Sequence, residues 1–358
     1  MDLLRIFWVC FNPFFKRLVY FEPLTYKVTS ILVLLSSIGV IISKKGLFFG
    51  FCLSIYLLLV SPFSLVDFLP FILLCIFLPT FKRLRFEKTF RAFLPFFVLI
   101  TLYAIYQKLF GYTFVELNWI KAGVGAVSEV GYFIRDDVRP LSFLAGTPEL
   151  SLFFCIYFYY FLVSKSKLGM LLSFSMLLVS GSRGVLVAFL ILAFLLFVKK
   201  HLFTKTRFST LLFCTLLFNA ISYFTLTLIG PLIAALAPEQ RLFVFGTFNA
   251  RVETLVEFFI TNRHSYFLLS FADHEKVYDN AYLTFISIFS ISLLPVFLYF
   301  FIKNCQNEKF FVGASLALGY AFYADLFYSY YALFFIFVVM FSQERRNRFY
   351  VKKRIKQT

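Results

Sequence analysis

Charged residues are scarce in this chain of 358 residues. Asp, Glu, Lys and Arg together make up 15% of it, whereas 61% is hydrophobic and the mean hydropathy is +0.85. A soluble domain is nearer half apolar and a quarter charged, so this composition excludes an ordinary soluble domain. Apolar runs long enough to cross a bilayer recur along the whole sequence. They predict an all-α, polytopic integral membrane helical bundle.

Several familiar signals are also missing. The six cysteines are scattered and form no CxxC pair, so neither a disulfide framework nor a zinc site is predicted. The sequence contains no P-loop and no GxGxxG stretch, which argues against a soluble nucleotide site, and we expect no cofactor. The N-terminus lacks a small-residue cleavage site, so we expect no cleavable signal peptide. Phenylalanine, with 56 residues, is expected to supply apolar surface facing lipid.

The net charge of +17 comes mainly from short basic clusters between the apolar runs. These clusters lie at 44–45, 82–91, 165–167, 199–207, 303–309 and 345–356. Short basic loops stay in the cytoplasm, so the distribution of charge predicts the topology of the chain in the membrane. We expect the lipid bilayer as a partner and expect no binding to nucleic acid.

Between these loops the sequence predicts eleven helices within a single membrane domain, 1–358. The predicted helices are 26–43, 46–62, 63–80, 92–110, 148–163, 168–182, 184–198, 208–235, 280–302, 310–325 and 326–342. Residues 4–21 either add a twelfth crossing or leave the N-terminus outside. Two longer outer (periplasmic) loops are expected at 111–147 and 236–279, the second with a surface helix. Residues 343–358 form a basic cytoplasmic tail.

Arg183 is the one charged residue between positions 168 and 198. Both flanks of this run are basic, so it should cross the membrane an even number of times. Its length, about 46 Å as a helix, is too great for one span. We therefore expect a helical hairpin whose short arms leave its outer tip, Gly181 to Gly184, at or below the membrane surface. A cation there indicates function, although an arginine snorkelling to the headgroups is the alternative.

Two further outer segments carry residues suited to binding or catalysis. The first is the stretch RDDVRPLSFLAGTPELSLFF at 135–154, which predicts the start of a helix. Pro148 suits the first turn of that helix, Thr147 can cap it, and the carboxylate of Glu149 interacts favourably with the positive end of the helix dipole. The alternative is a plain helix start after a solvated loop, and the Asp136–Asp137 pair is more simply a solvated pair than a metal site.

The other segment spans 248–290. Arg251, Glu253 and Glu257 alternate with apolar residues at roughly helical spacing, which predicts a helix along the surface or, alternatively, a solvated amphipathic connector. The stretch YDNAYL then begins the next span with Asp279 and Asn280 at its mouth. Arginines from three such segments would suit a diphosphate, because guanidinium forms planar, bidentate bonds to phosphate oxygens.

The order RP-x-S…GTP, SGSRG, R-x-E and DN-x-YL over about residues 92–342 resembles the O-antigen polymerase and O-antigen ligase superfamily. The resemblance implies an enzyme of the bacterial inner (cytoplasmic) membrane, acting at the periplasmic face on glycans carried by undecaprenyl diphosphate, without a metal. It also implies that Arg139, Arg183 and Arg251 match the family's substrate-binding arginines. Arg135 and Asn280, beside these motifs, are further expected substrate contacts.

The ligases of this superfamily have a histidine where this sequence has Asp279, which favours a polymerase of oligosaccharide repeat units over a ligase that transfers the glycan to a lipid A-core acceptor. The acceptor hydroxyl needs a general base. Asp279 is the first candidate, with a plain helix cap as the alternative, and His264 and Glu149 follow.

The rival from another class is a lipid-linked oligosaccharide flippase or exporter. Such a transporter should expose charge to both faces and often has repeated halves, whereas here intramembrane charge is biased outward and no repeat is visible. The expected partners are the undecaprenyl-diphosphate-linked donor, a glycan acceptor and a chain-length regulator.

Overall fold

The computed structural model describes residues 44–60, 72, 74–76, 78–114, 116–117, 133–134, 137–138, 140, 142, 144, 146–236, 252, 255–256, 258, 260, 280–289, 291–323 and 330–343. This part of the chain is a bundle of apolar helices, with one antiparallel pairing of two-residue strands. The helical class predicted from composition is therefore confirmed, whereas the count of eleven or twelve crossings and the two periplasmic segments stay predictions.

The elements follow one another from the first described helix to the last. They are α1 (Lys44–Val60), α2 (Leu78–Phe81), α3 (Phe86–Ala92), α4 (Leu94–Phe110), β1 (Phe133–Ile134), β2 (Asp137–Val138), α5 (Thr147–Val163), α6 (Lys167–Ser180), α7 (Arg183–His201), α8 (Phe208–Leu236), α9 (Ala281–Phe289), a 3-10 turn (Ile291–Leu293), α10 (Leu294–Asn304), α11 (Glu308–Tyr320) and α12 (Tyr330–Phe341).

Two helices of the described part, α7 and residues 208–225 of α8, are long and apolar enough to cross a membrane. A third span results if α3 and α4, bent by 49° at Phe93, are taken together. Helices α5 and α6 are apolar but shorter.

The outer surface of the bundle carries large exposed apolar side chains, as expected of a surface that contacts lipid. On α7, Leu190 and Phe194 are about half exposed, and on α4, Leu109 and Phe110 are about seven-tenths exposed. Exposed apolar surface on this scale marks contact with a membrane or a partner rather than with water. Both the composition and the surface therefore indicate a helical membrane protein.

Phenylalanine also fills the interior, so the expectation that it serves as bulk lipid-facing surface is too narrow. The ring of Phe97 stands 4.6 Å from that of Tyr157 and within about 6 Å of those of Phe153, Phe154 and Phe161. Offset and edge-on ring pairs of this kind add to the gain from burial. They join α4 to α5.

Helix α11 is the centre of the bundle. Every residue from Lys309 to Ala321 is buried. The helix packs against α12, α8 and α7, and its residues include Gly313, Ala317 and Gly319, whose small side chains let neighbouring helices approach closely.

The ends of several helices that carry basic clusters meet at one end of the bundle, which we call the basic end (81–86, 159–167, 199–208, 304–310 and 341–343). There, Lys309 Nζ donates to the Ser342 carbonyl (2.8 Å) and lies over the Phe86 ring, and Tyr159 donates to Glu308 (3.3 Å). These contacts bring the clusters at 82–91 and 303–309 together, while the common cytoplasmic side of all the basic loops stays a prediction.

Residues on opposite sides of the bundle test this topology. We expect Ser182→Cys, between α6 and α7, to react with a membrane-impermeant maleimide in spheroplasts, and Lys200→Cys, exposed at the basic end, to react only after permeabilisation. Native Cys305 at the basic end should stay silent, because burial raises its pKa to about 12 and keeps the thiol protonated at neutral pH. Labelling of Lys200→Cys in sealed spheroplasts would reverse the orientation.

Candidate functional site

The sequence motifs meet at the end of the bundle opposite the basic end. We call it the motif end and define it by residues 146–151, 180–184, 280–283 and 318–323. The first link joins the start of α5 to the end of α6. The hydroxyl oxygens of Ser151 and Ser180 are 2.6 Å apart and share a hydrogen bond, and both side chains are fully buried. The GTP and SGSRG segments are therefore neighbours.

The SGSRG segment breaks the helix where the sequence predicts a turn. Gly181 ends α6 in the left-handed conformation, with φ 71°, which glycine adopts without strain. The break is shorter than predicted, because Arg183 and Gly184 already belong to α7. The two arms do not pack along each other as in a tight hairpin: α6 packs along α5, and α7 against α11 and α8.

Gly184 brings the start of α7 into contact with the turn at 321–323 that follows α11. A Cβ built on Gly184 would collide with the Cβ and the ring of Tyr323, so only glycine fits this approach without movement. Tyr323 in turn packs with Tyr223 of α8, with ring centroids 5.9 Å apart. This cluster is where the tip of the predicted hairpin is fixed.

The DN-x-YL segment is tied to the same end of α11 through Asn280. Its Oδ1 accepts hydrogen bonds from the backbone N–H groups of Tyr282 (2.9 Å) and Leu283 (3.3 Å), which is the geometry of an N-cap for α9. Its Nδ2 donates to the Phe322 carbonyl (3.1 Å). The structure thus gives Asn280 a capping and bracing role, while its contact with substrate stays a prediction.

The predicted surface helix of the second outer loop reaches this end as well. Residues 252, 255, 256, 258 and 260 are helical. Phe258 is buried against Leu283 of α9, and Leu255 packs both there and against the cluster of Tyr223 and Tyr323. Val256 and Ile260 are exposed, and the amphipathic character that the spacing predicts for this helix stays a prediction.

Helix N-termini and C-termini both lie at the motif end, because α5, α7 and α9 begin there whereas α6 and α11 end there. Neither Gly146 before α5 nor Ser182 before α7 caps its helix with a side-chain hydrogen bond. The first N–H groups of an α-helix and its dipole attract anions. Arg183, the first residue of α7, is exposed and adds a full positive charge to this end.

The candidate bases and arginines are described only in part. Glu149 is buried in the first turn of α5, and Pro148 lies at the start of that helix as predicted. The prediction that Thr147 caps α5 is wrong: the helix begins one residue earlier, so that Gly146 is the N-cap and Thr147 the first helical residue. Five other predicted site residues lie outside the described residues, namely Arg135, Arg139, Arg251, His264 and Asp279.

A buried polar network beside the motif end was not anticipated. Gln107 Nε2 donates to Glu116 Oε1 (2.6 Å), and the backbone N–H of Ser142 donates to Gln107 Oε1 (2.6 Å). All three residues are at most 1% exposed. A lone glutamine in an apolar helix is a signal that the sequence offers, but its partners are 9 and 35 residues away and no local pattern names them.

Within the described ranges, no group of three or more His, Cys, Asp and Glu side chains is arranged to hold a metal ion. No protein-family model matches the chain, and no curated protein and no solved structure shows significant similarity to it.

Two glycines of the predicted motifs provide a matched test of the motif end. We expect Gly184→Ala to lower the free energy of unfolding by about 1–3 kcal/mol, because the new methyl overpacks the buried Tyr323. Gly146→Ala should cost less, about 0.5 kcal/mol, because its backbone is extended (φ −162°) and its added Cβ would meet only Pro148, at 3.5 Å, so that only the preference for glycine over alanine at an N-cap is lost. Thermal unfolding in detergent measures both. Equal stability of the two variants would contradict the close approach of α7 to Tyr323.

Proposed function

We propose that this protein is a membrane glycosyltransferase that polymerises undecaprenyl-diphosphate-linked oligosaccharide repeat units at the periplasmic face of the bacterial inner membrane. One observation carries the proposal. Three segments that contain or follow the motifs contact residues 322–323, through Gly184, Leu255 and Asn280, and Ser151, which follows the GTP motif, shares a hydrogen bond with Ser180. A chance set of short motifs would have no reason to meet there.

The proposed glycosyl transfer requires a binding site for the anionic diphosphate and a general base. The acceptor hydroxyl oxygen attacks the anomeric carbon of the donor sugar, the bond from that carbon to the diphosphate breaks, and the lipid diphosphate leaves. The hydroxyl proton passes to the general base. Charge develops on the departing diphosphate, and Arg139, Arg183 and Arg251 are assigned to stabilise it.

The electrostatics of the motif end support an anionic ligand. Arg183 is exposed at the first turn of α7, and the N-termini of α5 and α7 both open to this end without a side-chain cap. Because α6 and α11 end where α5 and α7 begin, their helix dipoles partly cancel, and the guanidinium of Arg183 is the group that favours a phosphate over a cation.

The hydrogen bonds of Asn280 strengthen the case for Asp279 as the base. Capping of α9 was the alternative role for Asp279, and Asn280 fills that role through its Oδ1. His264 follows as second candidate. Glu149 comes third, since it is buried in the first turn of α5.

Arg183 tests the diphosphate site. We expect Arg183→Ala to lower polymer formation by about 10²-fold or more, because a donor to the developing charge is lost. We expect Arg183→Lys to remain folded yet lose most activity, because an ammonium cannot form two parallel bonds to phosphate. The assay is polymer formation by purified, reconstituted protein, together with binding of undecaprenyl diphosphate, which the triple variant at positions 139, 183 and 251 should lose.

Arg207 supplies the matched control. It is exposed and directly precedes α8 at the basic end, so Arg207→Lys should leave activity unchanged. Lysine snorkels as well as arginine. A fully active Arg183→Lys variant would therefore make Arg183 a membrane anchor and remove it from the site.

Asp279 tests the assignment of the base. The substitution Asp279→Asn keeps the shape of the side chain but removes the proton acceptor, so we expect a folded protein whose turnover falls by about 10²-fold or more. The length distribution of surface glycan on a gel measures this. Polymer of normal length would move the base elsewhere, and His264→Ala is the next variant.

Deletion of the gene separates the proposed reaction from its rivals. Loss of a polymerase leaves surface glycan capped with a single repeat unit. Loss of a ligase leaves none attached, with polymer retained on the lipid, and loss of a flippase leaves single units facing the cytoplasm. Either of the last two outcomes would overturn the proposal.

A further inference from the structure

The segment before α5 is held in place by side chains of α4. Gln107 is three residues before the end of that helix and is fully buried. Its amide is used at both ends, because Nε2 donates to Glu116 and Oε1 accepts from the Ser142 backbone. One side chain thus connects two parts of the first outer loop.

Glu116 keeps the Gln107 amide in this orientation. One carboxylate oxygen of Glu116 accepts from Gln107, and the other accepts from the backbone N–H and the hydroxyl of Thr113, both at 2.9 Å. A carboxylate accepts hydrogen bonds and cannot donate when ionised. The Gln107 amide nitrogen therefore faces Glu116, and its oxygen is left to receive Ser142.

Ser142 is held in an unusual backbone conformation. Its φ is 53°, in the left-handed region that residues other than glycine rarely adopt. Its hydroxyl donates to the carbonyl of Ile100 (2.8 Å), ten residues before the end of α4, so the segment dips back beside that helix. A strained backbone of this kind persists only where its surroundings determine it, and such positions cluster at functional sites.

The held segment includes the RP-x-S motif. Lys108 of α4 donates to the Val138 carbonyl (3.3 Å), and Pro140 and Leu144 are buried. Arg139 stands in the sequence between Val138 and Pro140. The segment is thus fixed on both sides of Arg139 by residues of a single helix.

We propose that Gln107 is a positioning residue that, through Ser142, holds the RP-x-S segment at the described residues Val138 to Leu144 and so governs how well the arginine of that motif binds the diphosphate. The inference rests on the proposed function for its ligand, but not for its geometry. Bidentate recognition of phosphate depends on orientation, so a displaced segment weakens binding even when the arginine is present.

An exchange of side chains tests this role. In Gln107→Glu, two carboxylates face each other, and the segment should loosen. In the double variant Gln107→Glu/Glu116→Gln the pair is restored with the donor and acceptor exchanged, because an amide at 116 can donate to position 107 and accept from Thr113 while position 107 still accepts from Ser142. Thr101→Val is the matched control, since Thr101 is also buried in α4 but bonds only to the Phe97 carbonyl of its own helix (2.7 Å).

Amide hydrogen exchange and ligand binding, both measured on protein in nanodiscs, show the effect of these variants. We expect Gln107→Glu to speed amide hydrogen exchange in residues 138–144 and to weaken binding of undecaprenyl diphosphate by about tenfold, since charge-assisted bidentate bonds need fixed geometry. The double variant should return both values to those of the unaltered protein. Thr101→Val should change neither.

The outcomes separate the positioning role from a merely structural one. A structural role would lower thermal stability and raise exchange throughout the bundle while leaving the affinity of the folded protein unchanged, and this result would overturn the proposal. The proposal would also be overturned if the double variant Gln107→Glu/Glu116→Gln recovered stability but not affinity. If Gln107→Glu does not accumulate, Glu116→Gln, which loses only part of the Thr113 contact, takes its place.

A double-mutant cycle between Gln107 and Arg139 completes the test. If Gln107 acts through Arg139, Gln107→Glu should add little further loss of affinity in an Arg139→Lys protein, because residues in one network are not additive. Additive losses would overturn the inference. Absence of undecaprenyl diphosphate binding by the unaltered protein would defeat the proposed function, while the exchange measurements would still decide whether Gln107 fixes residues 138–144.

Discussion

The close packing of α11 on all its sides is the constraint on which the rest of the bundle depends. A Cβ at Gly313 would collide with Met340 of α12 and crowd the Ile336 carbonyl, and one at Gly319 would collide with Ala188 of α7. Small residues on one helix let two backbones come together, and in lipid this packing replaces the hydrophobic effect as the force between helices. Larger residues at Gly313 and Gly319 would separate α12 and α7 from the centre.

The C-terminal end of α11 then serves as the common support of the motif end. Tyr282 donates to the Leu318 carbonyl (2.9 Å), the Ala281 N–H donates to the Ala321 carbonyl (3.0 Å), and Asn280 reaches the Phe322 carbonyl. The Leu318 carbonyl belongs to the last turn of α11, where the helix leaves carbonyls without partners, and Ala321 and Phe322 lie in the turn that follows. The start of α9 therefore satisfies carbonyls at the end of α11 and just beyond it, and residues 280–283 and 318–323 hold each other.

Local patterns in the sequence predict the helices well where they are continuous. Residues 148–163 form a helix within one residue of its predicted bounds, and the break at Gly181 lies inside the predicted turn. The helix predicted at 92–110 is found as α4 within two residues of its predicted bounds. The single helix predicted at 280–302 is wrong, because a 3-10 turn divides it and α10 begins just before Pro295, whose ring removes a backbone donor. The contacts of Ser142 and Asn280 with residues 42 positions away follow from tertiary packing, which no local pattern contains.

The short length of α6 has a consequence for the lipid around the motif end. Its 14 residues rise about 21 Å, whereas the hydrocarbon core of a bilayer is about 30 Å thick. Such a hydrophobic mismatch is relieved by local thinning of the bilayer, at a fraction of a kcal/mol per Å. In the proposed reaction this thinning would bring phosphate groups of the outer leaflet closer to Arg183, so that the diphosphate could reach the protein while its isoprenoid chain stays in the membrane.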